Sequence, residues 1–152
     1  MKFARYYLIA FALLCSTWQL AQADELMIAR SAQNFEDAMS TLQAAIKEQG
    51  YKVTKVQRVD VGLEAKGYKT DHYRVVFYGK PGELEALAAQ YPDLVPYLPL
   101  SVAIYAEEGN TILTTARPGL LKQFYPEADL KPVFERWERD LAKIFDTVRE
   151  TK

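Results

Sequence analysis

Residues 97–118, YLPLSVAIYAEEGNTILTTARP, are the most informative part of the sequence for the fold class. Leu100–Ala106 is a nearly continuous apolar run, which predicts a strand covered on one face and partly on the other. Glu107–Asn110 has the composition of a hairpin loop, and Thr111–Ala116 predicts the returning strand. A hairpin of this kind favours an antiparallel sheet.

Three more strands are predicted upstream of this hairpin. Leu26–Ala29 is a short apolar run, and His72–Tyr78 alternates two clear faces. Tyr51–Val61 alternates apolar and charged residues, but its phase slips once, which predicts a strand with a bulge. Gly62 and Gly67 bracket a polar turn region after that strand.

Helices are predicted where apolar residues recur every three or four positions. Asn34 begins the first helix as its N-cap, and Gly50 ends it. Glu83–Tyr91 predicts a short second helix, and Asp129 caps a third from about residue 130 to residue 150. The apolar stripes are Phe35, Met39, Leu42 and Ile46 in the first helix, and Leu130, Phe134, Trp137, Leu141, Ile144 and Val148 in the last.

Two further features concern the surroundings of these helices. Pro92, Pro96 and Pro99 forbid regular structure in the segment that contains them. The face of the last helix opposite its stripe is charged in both signs, which is typical of a solvated surface. Its residues are Glu135, Arg136, Glu138, Arg139 and Lys143.

The element order is therefore β-α-β-β-α-β-β-α. It predicts an α+β fold in which an antiparallel sheet, with helices on one face, packs against a long C-terminal helix. The length of 152 residues fits one domain, over residues 24–152. A composition that is 49% hydrophobic and 26% charged excludes a disordered chain, a collagen and a multi-pass membrane protein.

Residues 1–23 have the layout of a secretory signal peptide. Lys2 and Arg5 precede the apolar run Leu8–Leu14, and a small-x-small pattern ends at Ala23, so cleavage is expected between Ala23 and Asp24. We therefore expect a periplasmic or secreted protein with no stable membrane span after cleavage. An uncleaved N-terminal anchor and a lipoprotein modified at Cys15 are the alternatives.

Removal of this leader changes the charge and the thiol content. The whole chain has a formal net charge of −1, and the loss of Lys2 and Arg5 makes it −3. That charge argues against nucleic acid and against anionic membrane surfaces as partners. The only cysteine, Cys15, also leaves, so the mature protein has no disulfide and no thiol chemistry.

Two segments resemble a known family, the one catalogued as domain of unknown function 302. They are Tyr73–Pro81, YRVVFYGKP, and Tyr97–Tyr105, YLPLSVAIY, with the hairpin that runs on to Pro118. The resemblance implies a curved antiparallel sheet that grips a long C-terminal helix, similar to the TATA-box-binding-protein-like class. The family has no settled activity. Its members often have a cysteine directly after the Leu-Pro pair, where this chain has Leu100.

His72 and Arg74 are the polar candidates for a binding site. His72 is the only histidine, and it could serve as a base or a ligand, although its neighbour Asp71 points to the opposite face of a strand. Arg74 shares the face of His72, and its guanidinium suits an anionic ligand. The alternative for Arg74 is a cross-strand ion pair with Asp60 or Glu64.

Aromatic side chains complete the candidate site. Tyr78, Tyr105 and Trp137 could line an apolar pocket with polar tips, and the alternative is that they fill the core. The same choice applies to the tyrosines at 51, 73, 91, 97 and 125. The sequence contains no phosphate-binding loop, no Ser–His–Asp order and no metal signature, so no cofactor, metal or catalytic residue is predicted.

Three hypotheses for function remain open. The first is a non-enzymatic binding module for a small amphipathic or anionic ligand. The second is a cell-envelope interaction or structural module without a small ligand, which pairs with an envelope protein or forms a homodimer. The third is an enzyme that uses His72 with a carboxylate, and the poverty of catalytic residues weighs against it.

Overall fold

The structure is a computed structural model that describes residues 25–151. The predicted leader, with its cleavage site between Ala23 and Asp24, lies outside the described residues. Five strands form one sheet in the order β1-β5-β4-β3-β2, and every pair is antiparallel. The strands are β1 (Leu26–Ser31), β2 (Lys52–Arg58), β3 (Tyr73–Gly79), β4 (Leu100–Glu107) and β5 (Asn110–Ala116).

Helices occupy the connections and the C-terminal end of the described chain. They are α1 (Phe35–Glu48), α2 (Val59–Glu64), α3 (Glu83–Gln90) and α4 (Leu130–Glu150), with 3₁₀ helices at Pro92–Tyr97 and Pro118–Gln123. The predicted α+β class, the element order and the long last helix are confirmed. The short helix α2 and the two 3₁₀ helices are additions to the predicted order.

Helix α1 has both of its predicted ends. The side-chain oxygen of Asn34 accepts a hydrogen bond of 3.0 Å from the N–H of Asp37. Gly50 has a φ of 78°, and its N–H donates to the carbonyl of Lys47 at 2.9 Å. The N–H of Tyr51 donates to Ile46 at 3.1 Å, which completes a Schellman motif.

Strands β4 and β5 form the predicted hairpin, with a loop of two residues. Glu107 pairs with Asn110, and Glu108 and Gly109 between them have φ values of 48° and 79°. Two positive φ angles are typical of the turns whose twist matches that of a hairpin. Strand β1 then pairs along β5, from Leu26 opposite Ala116 to Ser31 opposite Thr111.

One face of the sheet, called here the inner face, packs against α1 and α4. The predicted stripes of both helices are buried, and they meet inner-face residues in one hydrophobic core. The largest side chains with almost no exposure are Trp137, Tyr78 and Phe134. Inner-face members of this core are Met27, Ala29, Val76, Tyr78, Leu100, Val102, Ile104 and Leu113.

Strand β2 ends at Arg58, earlier than the predicted end at Val61. The expected bulge is present, as a shift of register between Val53 and Lys55. The chain then turns into α2, where the Asp60 carboxylate accepts from the N–H of Val61 at 2.8 Å and binds Arg74. The alternation that predicted a longer strand is therefore overridden by the polar contacts of Asp60, one with the next residue and one with Arg74 of β3.

The proline segment is regular, contrary to the prediction. Pro92 begins a 3₁₀ helix at a position where a missing N–H costs nothing. The N–H groups that this helix needs come from Leu94 and Leu98, which donate at 2.9 and 3.0 Å. A short 3₁₀ helix therefore forms around Pro96 with few donors.

The charged face of α4 is only partly solvated, which corrects a second prediction. Glu138 accepts from Arg117 at 2.8 Å and from the N–H of Gly119 at 2.7 Å, so this face anchors the second 3₁₀ helix. Arg136 forms an ion pair with Glu83 of α3. Asp129 precedes α4 as expected, but its carboxylate accepts from the hydroxyl of Tyr91 and makes no capping hydrogen bond.

Candidate functional site

Arg74 lies in β3 and His72 directly precedes that strand, and both are beside the first turn of α1. Both contact the ring of Phe35, which is the first residue of α1. The imidazole of His72 stacks on this ring, with 4.8 Å between centroids and 20° between planes. The guanidinium carbon of Arg74 lies 5.5 Å from the same centroid. Phe35 therefore fixes both predicted site residues in one cluster.

Asp60 is the third polar member of this cluster. Its side chain is 8% exposed and forms an ion pair with Arg74, whose side chain is 11% exposed. The Nδ1 atom of His72 is 3.9 Å from the same carboxylate, which is beyond hydrogen-bond distance. Arg74 is thus engaged by Asp60, as the ion-pair alternative expected.

The hydrogen bond from Arg74 holds the pKa of Asp60 below its usual value. Burial acts in the opposite direction and raises this pKa, but the guanidinium outweighs it with help from the N–H of Val61. Asp60 is therefore a carboxylate at neutral pH. A group in that state cannot donate a proton as a general acid there.

Two open depressions meet at His72, whose side chain is 56% exposed. One has a volume of about 320 Å³ and includes Arg58 and Glu64 in its wall. The other has a volume of about 270 Å³ and is lined by Tyr105 among others. Thr70, Asp71 and His72 line both. The two depressions therefore present charges of both signs and the two phenols of Tyr73 and Tyr105.

The structure separates the three aromatic candidates. Tyr105 lies close to His72, and its ring is 6.0 Å from that of Tyr73 across the β3–β4 pair. Tyr78 and Trp137 lie in the core instead, at 2% and 1% exposure. Burial raises the pKa of Tyr78 well above its usual value. We therefore exclude Tyr78 and Trp137 from the candidate site.

The face of the sheet opposite the helices, called here the outer face, is the second candidate surface. Its alternating residues follow from the strand registers, and most of them are apolar or small. They are Leu26, Ile28 and Arg30 in β1, Asn110, Ile112, Thr114 and Ala116 in β5, Ser101, Ala103, Tyr105 and Glu107 in β4, Tyr73, Val75 and Phe77 in β3, and Lys55 and Gln57 in β2. Ile28 is 62% exposed.

Residues 25–151 also bear on metal sites and membrane spans. In this range no three histidine, cysteine or acidic side chains cluster closely enough to hold a metal ion. No helix of the same range combines the length and the apolar composition that a membrane span needs.

Comparison with known proteins shows the family. Residues 27–148 match the family described as "Domain of unknown function DUF302". The chain belongs to this family. A crystal structure of an uncharacterized conserved protein DUF302 from Bacillus stearothermophilus is similar, with a TM-score of 0.75 and 20% identity. The alignment covers 84% of this chain and 100% of that chain, and at this identity it shows the fold alone. Curated proteins gave no match.

The position after the Leu-Pro pair is a core position in this DUF302 chain. Leu100 is 9% exposed, belongs to the hydrophobic core and pairs with Tyr78 across β3 and β4. The peptide bond between Leu98 and Pro99 is cis. An apolar side chain at 100 therefore serves packing, and it cannot perform the chemistry of a thiol.

The sequence indicates only part of the role that two residues have in this cluster. The sequence indicates Asp60 only as one of two ion-pair partners for Arg74, and Phe35 only as a member of an apolar stripe. A signal for Asp60 did exist, because it is an acidic residue between two valines at the end of a strand. Nothing in the stripe of α1 indicates that Phe35 stacks on His72.

Replacing Asp60 with asparagine should reduce the dependence of stability on acid pH. The pKa of Asp60 is lower in the folded state than in the unfolded chain, so its stabilisation is complete above about pH 5. It is lost as the pH falls through the folded pKa, because the unfolded state binds the proton first. Urea unfolding from pH 7 to pH 2 should show the difference between wild type and Asp60→Asn shrinking. A constant difference would contradict the assignment.

Proposed function

We propose that this DUF302 protein is an exported, non-enzymatic interaction module that binds a protein partner on the outer face of its sheet. The main supporting observation is that this face is largely apolar and that its residues, apart from the buried Ile112, are at least partly exposed. Val75, Phe77 and Ala103 are half-buried, Ile28 is largely exposed, and none of the four belongs to the core cluster. An antiparallel sheet that exposes one face to water normally has polar residues there.

The packing between the sheet and the helices supports this choice over a ligand held in the interior. Trp137, Tyr78 and Val76 are at most 2% exposed, and side chains of α1, α4 and the inner face contact one another directly. A small ligand in that layer would have to displace packed side chains, and each such displacement costs several kcal/mol. An exposed apolar surface requires no such change.

A small amphipathic or anionic ligand remains a second candidate, at a different place. The observation in its favour is the pair of depressions that meet at His72. Tyr105 offers an aromatic face in one of them, and Arg58 offers a cation in the other. The ion pair between Arg74 and Asp60 weakens this candidate, because it leaves less positive charge for an anion.

Native mass spectrometry of the protein purified from the envelope of its own host tests the proposal. We expect a chain that begins at Asp24, held in a complex with protein. Ala103→Arg on the outer face should abolish the complex, and His72→Ala should keep it. A monomer with a non-covalent adduct of a few hundred daltons, lost in His72→Ala, would favour the second candidate. An intact leader on all molecules would contradict cleavage after Ala23 and favour the N-terminal anchor.

A further inference from the structure

We infer that the partner on the outer face is a second copy of this chain, packed sheet against sheet about a two-fold axis. The inference rests on the proposed function and names its partner. It follows from a ridge and a groove that lie side by side on the outer face. The ridge consists of Val75 and Phe77 in β3, and the groove consists of Ser101 and Ala103 in β4 with Thr114 and Ala116 in β5.

The ridge and the groove are in register along the strands. Phe77 pairs with Ser101, and Val75 pairs with Ala103. Ala103 in turn pairs with Thr114. Two large side chains therefore stand beside two rows of small ones. Tyr73 and Tyr105, whose rings contact each other, close the end of the groove.

A two-fold axis parallel to the strands, between β3 and β4, makes this surface complementary to itself. It places the ridge of each copy over the groove of the other. Phe77 and Val75 then have the same position along the strand direction as the small residues that they contact. Contacts of this kind are isologous, since residue i of one copy meets residue j of the other and the reverse. Sheets packed face to face lie about 10 Å apart, which lets side chains of the two faces interdigitate.

The charges of the outer face also suit a second copy. Ridge and groove carry no charged side chain, and Lys55 of β2, which pairs with Phe77 of the ridge, is exposed on the edge strand of the sheet. Arg30 and Glu107, at one end of the face, form an ion pair of 2.8 Å with each other. A charged partner surface would lose its water against this region without compensation. A second copy of the same uncharged region has no charged group whose hydration would be lost.

Sedimentation equilibrium of the processed protein and its variants tests the inference. We expect a dimer whose dissociation constant rises on the order of 100-fold in Ala103→Arg, because an unpaired guanidinium would be buried in the groove. Thr114→Arg should do the same and serves if the first variant unfolds. Ala86→Arg, at an exposed position of α3, is the matched control and should leave the dissociation constant unchanged.

A cysteine introduced at Ala103 tests the position of the axis. The only cysteine of the chain is Cys15, in the leader, so the processed Ala103→Cys variant has a single thiol. Ala103 lies beside the proposed axis, so the two thiols face each other across sheets about 10 Å apart, and a short bis-maleimide cross-linker should give a covalent dimer. Ala86→Cys should give none.

Two results would overturn the homodimer, and they can be told apart from a failure of the proposed function. A wild-type protein that stays monomeric up to hundreds of micromolar would overturn the homodimer. If its complex from the host then contains another protein that Ala103→Arg releases, the proposed function stands without this inference. A dimer that tolerates arginine at both 103 and 114 would use another surface and would also overturn it.

Discussion

Replacing Trp137 with alanine should lower the free energy of unfolding by about 3–5 kcal/mol. Trp137 is 1% exposed, its ring lies 5.6 Å from that of Phe134, and its Nε1 donates to Glu83 at 3.3 Å. The substitution leaves a cavity between α4 and the sheet and removes this hydrogen bond. Because a domain of this size is stable by only about 5–15 kcal/mol, urea unfolding should show a large fall in the midpoint.

Phe124→Ala is the matched control for the loss of an aromatic ring. Phe124 is 70% exposed, so its removal should change the unfolding free energy by no more than about 0.5 kcal/mol. A loss below 1 kcal/mol for Trp137→Ala would mean that α4 does not pack on the sheet as described here. Trp137→Phe should fall between the two variants, because it keeps most of the buried area.

Replacing Arg74 with alanine should cost about 3 kcal/mol. It leaves Asp60, with its side chain 8% exposed, as a buried carboxylate without its ion-pair partner. Removing one member of a buried pair is far more destabilising than removing both, since the remaining charge stays away from water. The contact of the guanidinium with the Phe35 ring is lost as well. Urea unfolding at pH 7 measures the loss.

A second substitution can neutralise the carboxylate that Arg74→Ala leaves unpaired. Adding Asp60→Asn to Arg74→Ala should recover at least about 1 kcal/mol, because a neutral amide is cheaper to bury than a carboxylate. Arg58→Ala is the matched control, because Arg58 pairs with Arg74 across β2 and β3 but is exposed. If all three variants lost the same small amount, the ion pair would contribute nothing to stability.

Periodicity predicted the helices and strands well where one face alone is buried. The stripe from Leu130 to Val148 determined α4, and Asn34 and Gly50 determined the ends of α1. Prediction failed where a side chain overrides local preference. Asp60 binds Arg74, which is distant in sequence, and the chain therefore turns into α2 where the alternation of apolar residues predicted more strand. Only tertiary structure contains that information.

The candidate site was predictable only in part, for a related reason. Strand alternation correctly placed His72 and Arg74 on one side, but it could not show that Phe35, on another element, covers both. The apolar character of β4 indicated partial cover on its second face. Large residues of β3 lie beside small residues of β4 and β5 only because of the registers of two strand pairs. The sequence alone does not supply these registers.

The pairing of β1 with β5 affects how the chain reaches its folded state. Leu26 meets Ala116 about 90 residues later, so the sheet cannot be completed until most of the chain is free to fold. Contacts between residues so far apart close slowly, since the loop entropy is lost before the contact forms. For an exported chain, as proposed above, this delay lengthens the time in which the chain can cross a membrane unfolded. The same delay exposes apolar strands, which makes rapid dilution preferable to slow dialysis when the protein is refolded.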